Sequence, residues 1–237
     1  MILKNYTLKS SVLKSRALKA TVGTLVGLSS FAALAADETE QPWVDMSDPT
    51  AVYSSATIGG GTEGIDLSAT YGGYLSGVYK QRFTVAAKHD LDFYEVNYLL
   101  LNATSNSGVT FDSSWSKDIR ADGKDYDDVN DTSVGVFAKL AFMDDHINFY
   151  PKVSIGYLWA DEIKDTTYVK FDATTRYKFN RMYWVGITPS YAYGFKGADL
   201  NEWAATIDAG VQLSDVFGFS VSANDDEEFT ANITFAF

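Results

Sequence analysis

Two histidines and no cysteine limit the catalytic chemistry that this sequence could support. His89 is followed directly by an acid, Asp90, and His146 follows the two acids Asp144 and Asp145. General acid–base catalysis needs a base that is held by an oriented partner and lies close to the reacting group. Neither histidine has a nucleophile at a spacing that supplies this arrangement. We therefore predict that both histidines lie in turns, that the protein is not an enzyme, and that it holds no cofactor or catalytic metal.

A larger set of basic residues shares the polar face of segments in which apolar and polar residues alternate. If that face is the inside of a barrel, fixed positive charge in a narrow pore favours anions. The predicted pore lining consists of Lys80, Arg82, Lys139, Lys152, Lys170, Arg176 and Lys178. Lys88 shares this face, together with a smaller number of acids: Asp66, Glu95, Asp112, Asp172 and Asp208. The alternative is a structural network of salt bridges that fills a closed barrel.

The elements that would position these residues are predicted β-strands. From Ala51 to the end, apolar and polar residues alternate with period two in segments of about ten residues, separated by turn residues, which is typical of a transmembrane β-barrel. The segments indicate an all-β, single antiparallel barrel of about twelve strands. Ten strands is the second choice because the first segment, Val52–Ile58, is weakly apolar. Pro151 and Pro189 fall inside predicted strands, where each removes a ladder donor, so we expect bulges or local strand ends there.

The predicted connections form two sets, which would lie at opposite ends of the barrel. One set is longer and acidic and includes residues 117–132, which we interpret as a solvated acidic loop. A role of this loop in binding divalent cations or a partner is the alternative, although it lacks the full EF-hand pattern. The other set is short. Bacterial barrels place long loops outside the cell and short turns in the periplasm.

Aromatic residues at the ends of the predicted strands distinguish a membrane barrel from a soluble β-sandwich or lipocalin-like barrel, whose apolar face would point inward. The middles of the strands are aliphatic, and the aromatic residues form two girdles. Aromatic residues are enriched at both lipid–water interfaces of a membrane, so two girdles indicate a chain that spans it. The predicted outer girdle contains Trp159, Tyr193, Phe195, Trp203 and Phe229. The predicted inner girdle contains Phe149, Tyr177, Phe179, Tyr183, Phe235 and Phe237.

The first 35 residues have the pattern of a secretory signal peptide. Five basic residues and no acid precede an apolar stretch, which ends in Ala33-Leu34-Ala35. Its removal would change the formal charge from −12 to −17, because 14 basic residues would remain against 31 acids. Residues 36–49, which include Trp43, are predicted to be a periplasmic N-terminal extension, with a plug as the less favoured interpretation. Residues 50–237 form the predicted barrel.

The C-terminal residues 229–237 end the chain on an aromatic residue in an alternating segment. This segment resembles the assembly signal of bacterial outer-membrane proteins, with Asn232 where glycine often stands. The resemblance implies that Phe229, Ile233, Phe235 and Phe237 are read by the barrel-assembly machinery, and that the protein lies in the outer membrane among its lipid and lipopolysaccharide. In size and charge layout the chain is also similar to the twelve-stranded oligogalacturonate-type porins.

These observations predict an outer-membrane channel, porin-like, for small anionic solutes that pass through a basic lumen. The alternative is a non-conducting barrel that acts through acidic surface loops as an adhesin, receptor or structural protein of the envelope. No nucleic-acid partner is expected.

Overall fold

A computed structural model describes residues 43–121, 124–161 and 163–237. The predicted signal peptide and residues 36–42 of the predicted extension lie outside the described residues. The described chain forms thirteen β-strands. They are β1 (Ser55–Gly61), β2 (Gly64–Ser76), β3 (Tyr79–Lys88), β4 (Phe93–Asn102), β5 (Ser107–Ala121), β6 (Lys124–Ala138), β7 (Leu140–Phe142), β8 (Ile147–Ala160), β9 (Ile163–Lys178), β10 (Tyr183–Lys196), β11 (Asn201–Gln212), β12 (Phe217–Asn224) and β13 (Phe229–Ala236). A short 3-10 turn, His89–Leu91, joins β3 to β4.

These strands close into one antiparallel barrel with twelve strand positions around its wall. Apart from β6 and β7, which do not pair with each other, neighbouring strands in the sequence are paired, and β1 pairs with β13 in the register Ser55↔Ala236. The short β7 continues β6 after an interruption at Lys139, because both pair with β8. The prediction of twelve strands is confirmed, and the choice of ten was wrong, since β1 is paired on both sides despite its weak apolar character.

The outer face of the wall is apolar and exposed. Along the strands, exposed apolar side chains alternate with less exposed polar ones; Val134, Ile155 and Ile207 are 59%, 60% and 58% exposed. An exposed apolar surface of this extent on every part of a closed sheet fits lipid and does not fit water. The structure thereby excludes the soluble sandwich and the lipocalin-like barrel. No helix in the described ranges is long and apolar enough to cross a membrane.

Both chain termini of the barrel lie at one end, here called the inner end; the opposite end is the outer end. Large exposed aromatics mark each end of the wall, as predicted. At the outer end these are Trp159, Tyr193, Phe195, Trp203 and Phe229, and at the inner end Tyr177, Phe179, Tyr183, Phe235 and Phe237. Phe149 is less exposed than the other members of the predicted inner girdle.

The acidic segment 117–132 is not the loop that the sequence predicted. The pairing of β5 with β6 continues from Ser107↔Ala138 to Ala121↔Lys124, so the segment is a β-hairpin. A strand of 15 residues is about 50 Å long at roughly 3.4 Å per residue. Even when tilted it exceeds an apolar band of about 25 Å, so the hairpin projects beyond the membrane. Outside lipid neither face has to be apolar, which explains why the alternation was missing there.

The two prolines coincide with gaps in the strand ladders. Pro151 lies on β8 opposite the interruption between β6 and β7 at Lys139. Pro189 keeps its register with β11, but pairing with β9 is missing at Thr188 and Pro189. Neither gap shifts the register of the strands around it. The missing proline N–H thus interrupts the ladder locally without producing a bulge.

Candidate functional site

The N-terminal segment, defined here as residues 43–51, runs into the inner end of the barrel. Arg82 on β3 donates to the carbonyl oxygens of Pro49 and Ala51, at 2.8 and 2.9 Å. Gln212 on β11 donates to the carbonyl of Val44 at 2.6 Å and accepts from the Met46 N–H at 3.2 Å. In either direction around the barrel, several strands lie between β3 and β11. A segment that touches both therefore lies within the lumen.

Four cations surround this segment and are called here the inner basic cluster: Arg82, Lys139, Arg176 and Lys178. Lys139 pairs with Asp48 at 2.9 Å, and Lys178 pairs with Asp45 at 3.2 Å. Arg176 donates to the carbonyl oxygen of Ser47. The side chains of Lys139, Arg176 and Lys178 are only 19%, 17% and 13% exposed. Charges so poorly hydrated need close partners, and the segment supplies them.

The acids of the segment are oriented by tight local turns. One carboxylate oxygen of Asp45 accepts from the Ser47 N–H at 3.0 Å, and one of Asp48 accepts from the Thr50 N–H at 2.7 Å. The other oxygen of each carboxylate pairs with a lysine of the wall. Asp followed two residues later by Ser or Thr is a turn-forming pattern, and here it occurs twice in succession. This repeat is the sequence signal that could have indicated a structured segment.

Wall acids complete the charge balance at the inner end. Asp208 pairs with Arg176 at 3.1 Å, and Asp145 pairs with Lys139 at 3.7 Å and also with Lys178. Partial burial acts to raise the pKa of Asp145, but the hydrogen bond from Lys178 and the positive charge of both lysines outweigh it and lower this pKa below 3.8. The four cations of the inner basic cluster thus face four carboxylates, of which two belong to the segment.

Close packing continues after the segment. Gly72 on β2 lies beneath the backbone of Tyr53, where an added Cβ would come within 2.5 Å of the Tyr53 nitrogen. Burial raises the pKa of the Tyr53 phenol, with the nearby Arg82 acting in the opposite direction. At the rim, the Arg181 guanidinium lies 4.7 Å from the centre of the Trp43 ring. The described part of the predicted periplasmic extension is therefore packed against the barrel, which its sequence did not lead us to expect.

The remaining predicted lining residues are not in the inner basic cluster. Lys152 pairs with Asp112 at 2.7 Å, and Lys170 pairs with Asp172 at 3.3 Å. Lys80 lies over the ring of its cross-strand neighbour Tyr74, 4.9 Å from the ring centre. Lys152 shares the predicted lining with Lys139 and Arg176, but its partner Asp112 lies nearer the middle of the wall and is not a partner of the cluster.

Two polar cavities lie toward the outer end and share Lys88 and His89 in their lining. Their volumes are about 220 and 300 Å³. The smaller is bordered by residues of β1, β2, β3, β12 and β13, and the larger by residues of β3, β4, β5 and β6. Lys88, which borders both, pairs with Glu95 at 2.6 Å. Most residues that border the two cavities are polar.

The histidines lie in turns, as the sequence predicted. His89 donates its backbone N–H to Asp66 at 3.0 Å, and its ring stacks on Phe93. The His146 Nδ1 lies 2.7 Å from the carbonyl oxygen of Lys178. Neither contact resembles a base beside a nucleophile. Within the described ranges, no three metal-ligating side chains come together.

The C-terminal strand closes the barrel. Phe229, Ile233, Phe235 and Phe237 are exposed on the lipid-facing side, and the Phe237 N–H donates to the carbonyl of Ser54 at 3.0 Å. A closed antiparallel barrel with an apolar exterior and aromatic belts is the architecture of bacterial outer-membrane proteins. The chain is an outer-membrane β-barrel. Recognition of its last strand by the assembly machinery stays a prediction.

Comparisons with known proteins found similar proteins among solved structures only. No protein-family model matches the chain, and no curated protein matches it. The KdgM porin superposes with a TM-score of 0.49 at 9% identity, covering 78% of this chain and 99% of that one. The NanC porin gives 0.49 at 8%, covering 78% and 98%. A loop-deletion mutant of OmpT from Vibrio cholerae gives 0.42 at 8%, covering 74% and 65%. The assignment made above rests on the pairing and exposure of this chain's own residues.

Proposed function

We propose that this outer-membrane β-barrel is a channel for small solutes and that the inner basic cluster makes it favour anions. The observation that carries the proposal is the polar, charged character of the inward-facing residues along the barrel, from Arg176 near the inner end to Lys88 near the outer end. A barrel filled only for structural reasons can use apolar side chains, whereas charged groups on opposite walls suit a wet lumen. Twelve strands also enclose a wider space than the eight that side chains fill.

The anion preference follows from the charge balance of the wall at the inner end. The wall contributes four cations, Arg82, Lys139, Arg176 and Lys178, against the two acids Asp145 and Asp208. In a poorly hydrated constriction, an excess of positive charge is screened less than it would be on a surface. Small anions are therefore the preferred solutes whenever the path past this cluster is open.

Swelling of proteoliposomes tests the channel itself. Residues 36–237 carrying D45N/D48N, which removes the ion pairs of the N-terminal segment with Lys178 and Lys139 so that the segment does not hold the path closed, are refolded into vesicles and challenged with isosmotic arabinose as a neutral probe and with sodium gluconate as an anionic probe. The proposal predicts swelling with both, at rates above those of protein-free vesicles. A matched control is the same protein heated to unfolding before reconstitution. Swelling no faster than in the controls for either probe would refute the channel.

A second candidate is a non-conducting barrel that acts at the cell surface. The observation in its favour is that the segment 43–51 lies in the lumen while the β5–β6 hairpin projects from the outer end. This candidate would be favoured if no variant conducts and if shortening the β5–β6 hairpin abolishes an activity of the protein at the cell surface.

A further inference from the structure

The contacts of the N-terminal segment point to a function of its own. We propose that residues 43–51 are a built-in plug, which holds the inner basic cluster with its own carboxylates and closes the channel until it is displaced. This inference rests on the proposed function, because it describes how the same cluster is regulated.

The segment presents negative charge to the cations of the lumen. The two carboxylates that the segment brings, Asp45 and Asp48, pair with Lys178 and Lys139, which are the charges that a passing anion would meet. The segment thus occupies the path in the way an anionic solute would. Removing it would leave the cluster with an excess of two positive charges, and binding it leaves the charges balanced.

The docking site on the wall matches the hydrogen-bonding groups of a peptide backbone. Arg82 offers two donor contacts to carbonyls of the segment, and the amide of Gln212 matches one donor and one acceptor of its backbone. Gln212 is 1% exposed, so these polar groups would be costly to bury without a partner. A segment that merely trailed from the barrel would not need such a site.

The plug is held to the wall by non-covalent contacts, which can break and form again. Its described contacts with the wall are hydrogen bonds and ion pairs, together with the packing of a few side chains such as Met46. The chain has no cysteine, so no disulfide ties the segment to the wall. Charge-dependent contacts are weakened by competing anions, which makes displacement by the transported class of solute a natural opening signal.

The absence of native cysteine also allows a reversible lock. A Cβ added at Gly218 would meet the Met46 sulfur at 2.6 Å, so M46C and G218C place two thiols within reach of each other. The double variant, made in a D45N/D48N background in which the segment lacks its ion pairs with Lys178 and Lys139 and is freed by reduction, is recorded in planar bilayers before and after reduction, with each single variant as a control. The plug predicts a low current when oxidised that rises several-fold on reduction. Equal currents in both states, with the disulfide verified by mass, would overturn it.

Charge removal tests the same inference without a disulfide. D45N/D48N keeps the shape of the segment but removes its pairing with Lys139 and Lys178. The matched control is D144N/D215N, which removes the same charge from two exposed inner-end side chains that themselves make no ion pair among the described residues. In an M46C background, the plug predicts that D45N/D48N raises thiol labelling of folded protein by roughly tenfold or more, with a parallel rise in current. The control changes neither.

The two readouts separate the possible failures. Conducting wild-type protein whose current and labelling ignore D45N/D48N overturns the plug and leaves the channel standing. Labelling that rises while no variant conducts overturns the channel, and with it the gating role, although the segment is then shown to be displaceable. Labelling and current that rise together support both.

Discussion

Gln212→Leu measures how strongly side-chain hydrogen bonds hold the N-terminal segment in the barrel. Gln212 is buried, and both ends of its amide bond to the segment, at 2.6 Å to the Val44 carbonyl and 3.2 Å from the Met46 N–H. Leucine has a similar size but cannot form either bond. Each such bond contributes about 0.5–1.5 kcal/mol net, so losing two should cost about 1–3 kcal/mol of docking free energy. The fraction of molecules with the segment released should then rise roughly 5–150-fold.

Thiol labelling of Met46→Cys in folded, vesicle-inserted protein provides the assay. When docking and release are fast compared with labelling, the rate reports the released fraction directly. Gln81→Leu is the matched control, because Gln81 accepts a hydrogen bond from the Tyr98 hydroxyl on the wall, at 3.2 Å, and is not among the described contacts of the segment. Labelling of Gln212→Leu within about twofold of its parent would refute the reasoning, since each bond alone should have a larger effect.

Three further predictions concern assembly, packing and pH. Deletion of Phe237 should lower the amount of folded protein in outer-membrane fractions while export continues, because it removes the terminal aromatic of the closing strand; unchanged folded levels would contradict this. Gly210→Ala should lower the free energy of unfolding in detergent by about 1–3 kcal/mol, because its Cβ would lie 2.0 Å from the buried Trp184 ring. The control Gly60→Ala should have little effect, because its Cβ meets nothing nearer than 3.5 Å. The pKa of Asp145 lies below its ordinary 3.8, so its ion pairs stabilise the fold fully above pH 3.8, and this stabilisation is lost as the pH falls through the lower pKa of the folded state. Asp145→Asn should therefore weaken the fall of the unfolding temperature at acid pH. An unchanged fall would count against the ion pairs.

The barrel could be predicted from the sequence because lipid imposes a strict pattern. Every second residue of a barrel strand must be apolar where it meets lipid. Strands β8 and β10 show this alternation over most of their lengths. The pattern failed where lipid does not act. The hairpin at 117–132 extends beyond the apolar band, where neither face has to be apolar, so its polar residues predicted a loop.

The site was harder to predict because its partners are distant in sequence. Alternation placed Lys139 and Arg176 on the polar face, but it carries no information on which acid each cation meets. Asp48 lies 91 positions from Lys139, and it belongs to a segment with no strand periodicity of its own. Lys152 shares the face of these cations, yet its partner Asp112 is 40 positions away on β5, which is separated from β8 by β6.

The ion selectivity of the open channel tests the proposed function most directly. Reversal potentials are measured across a KCl gradient in planar bilayers, at about 0.1 M salt or above, where the Debye length is roughly 10 Å or less and outer acids are screened. The channel opened by D45N/D48N should prefer chloride, and K139Q/R176Q added to it should weaken that preference more than the matched outer-end variant K164Q/K196Q in the same background. Potassium preference, or a chloride preference that K139Q/R176Q leaves unchanged, would contradict the assignment of the inner basic cluster as the element that selects anions.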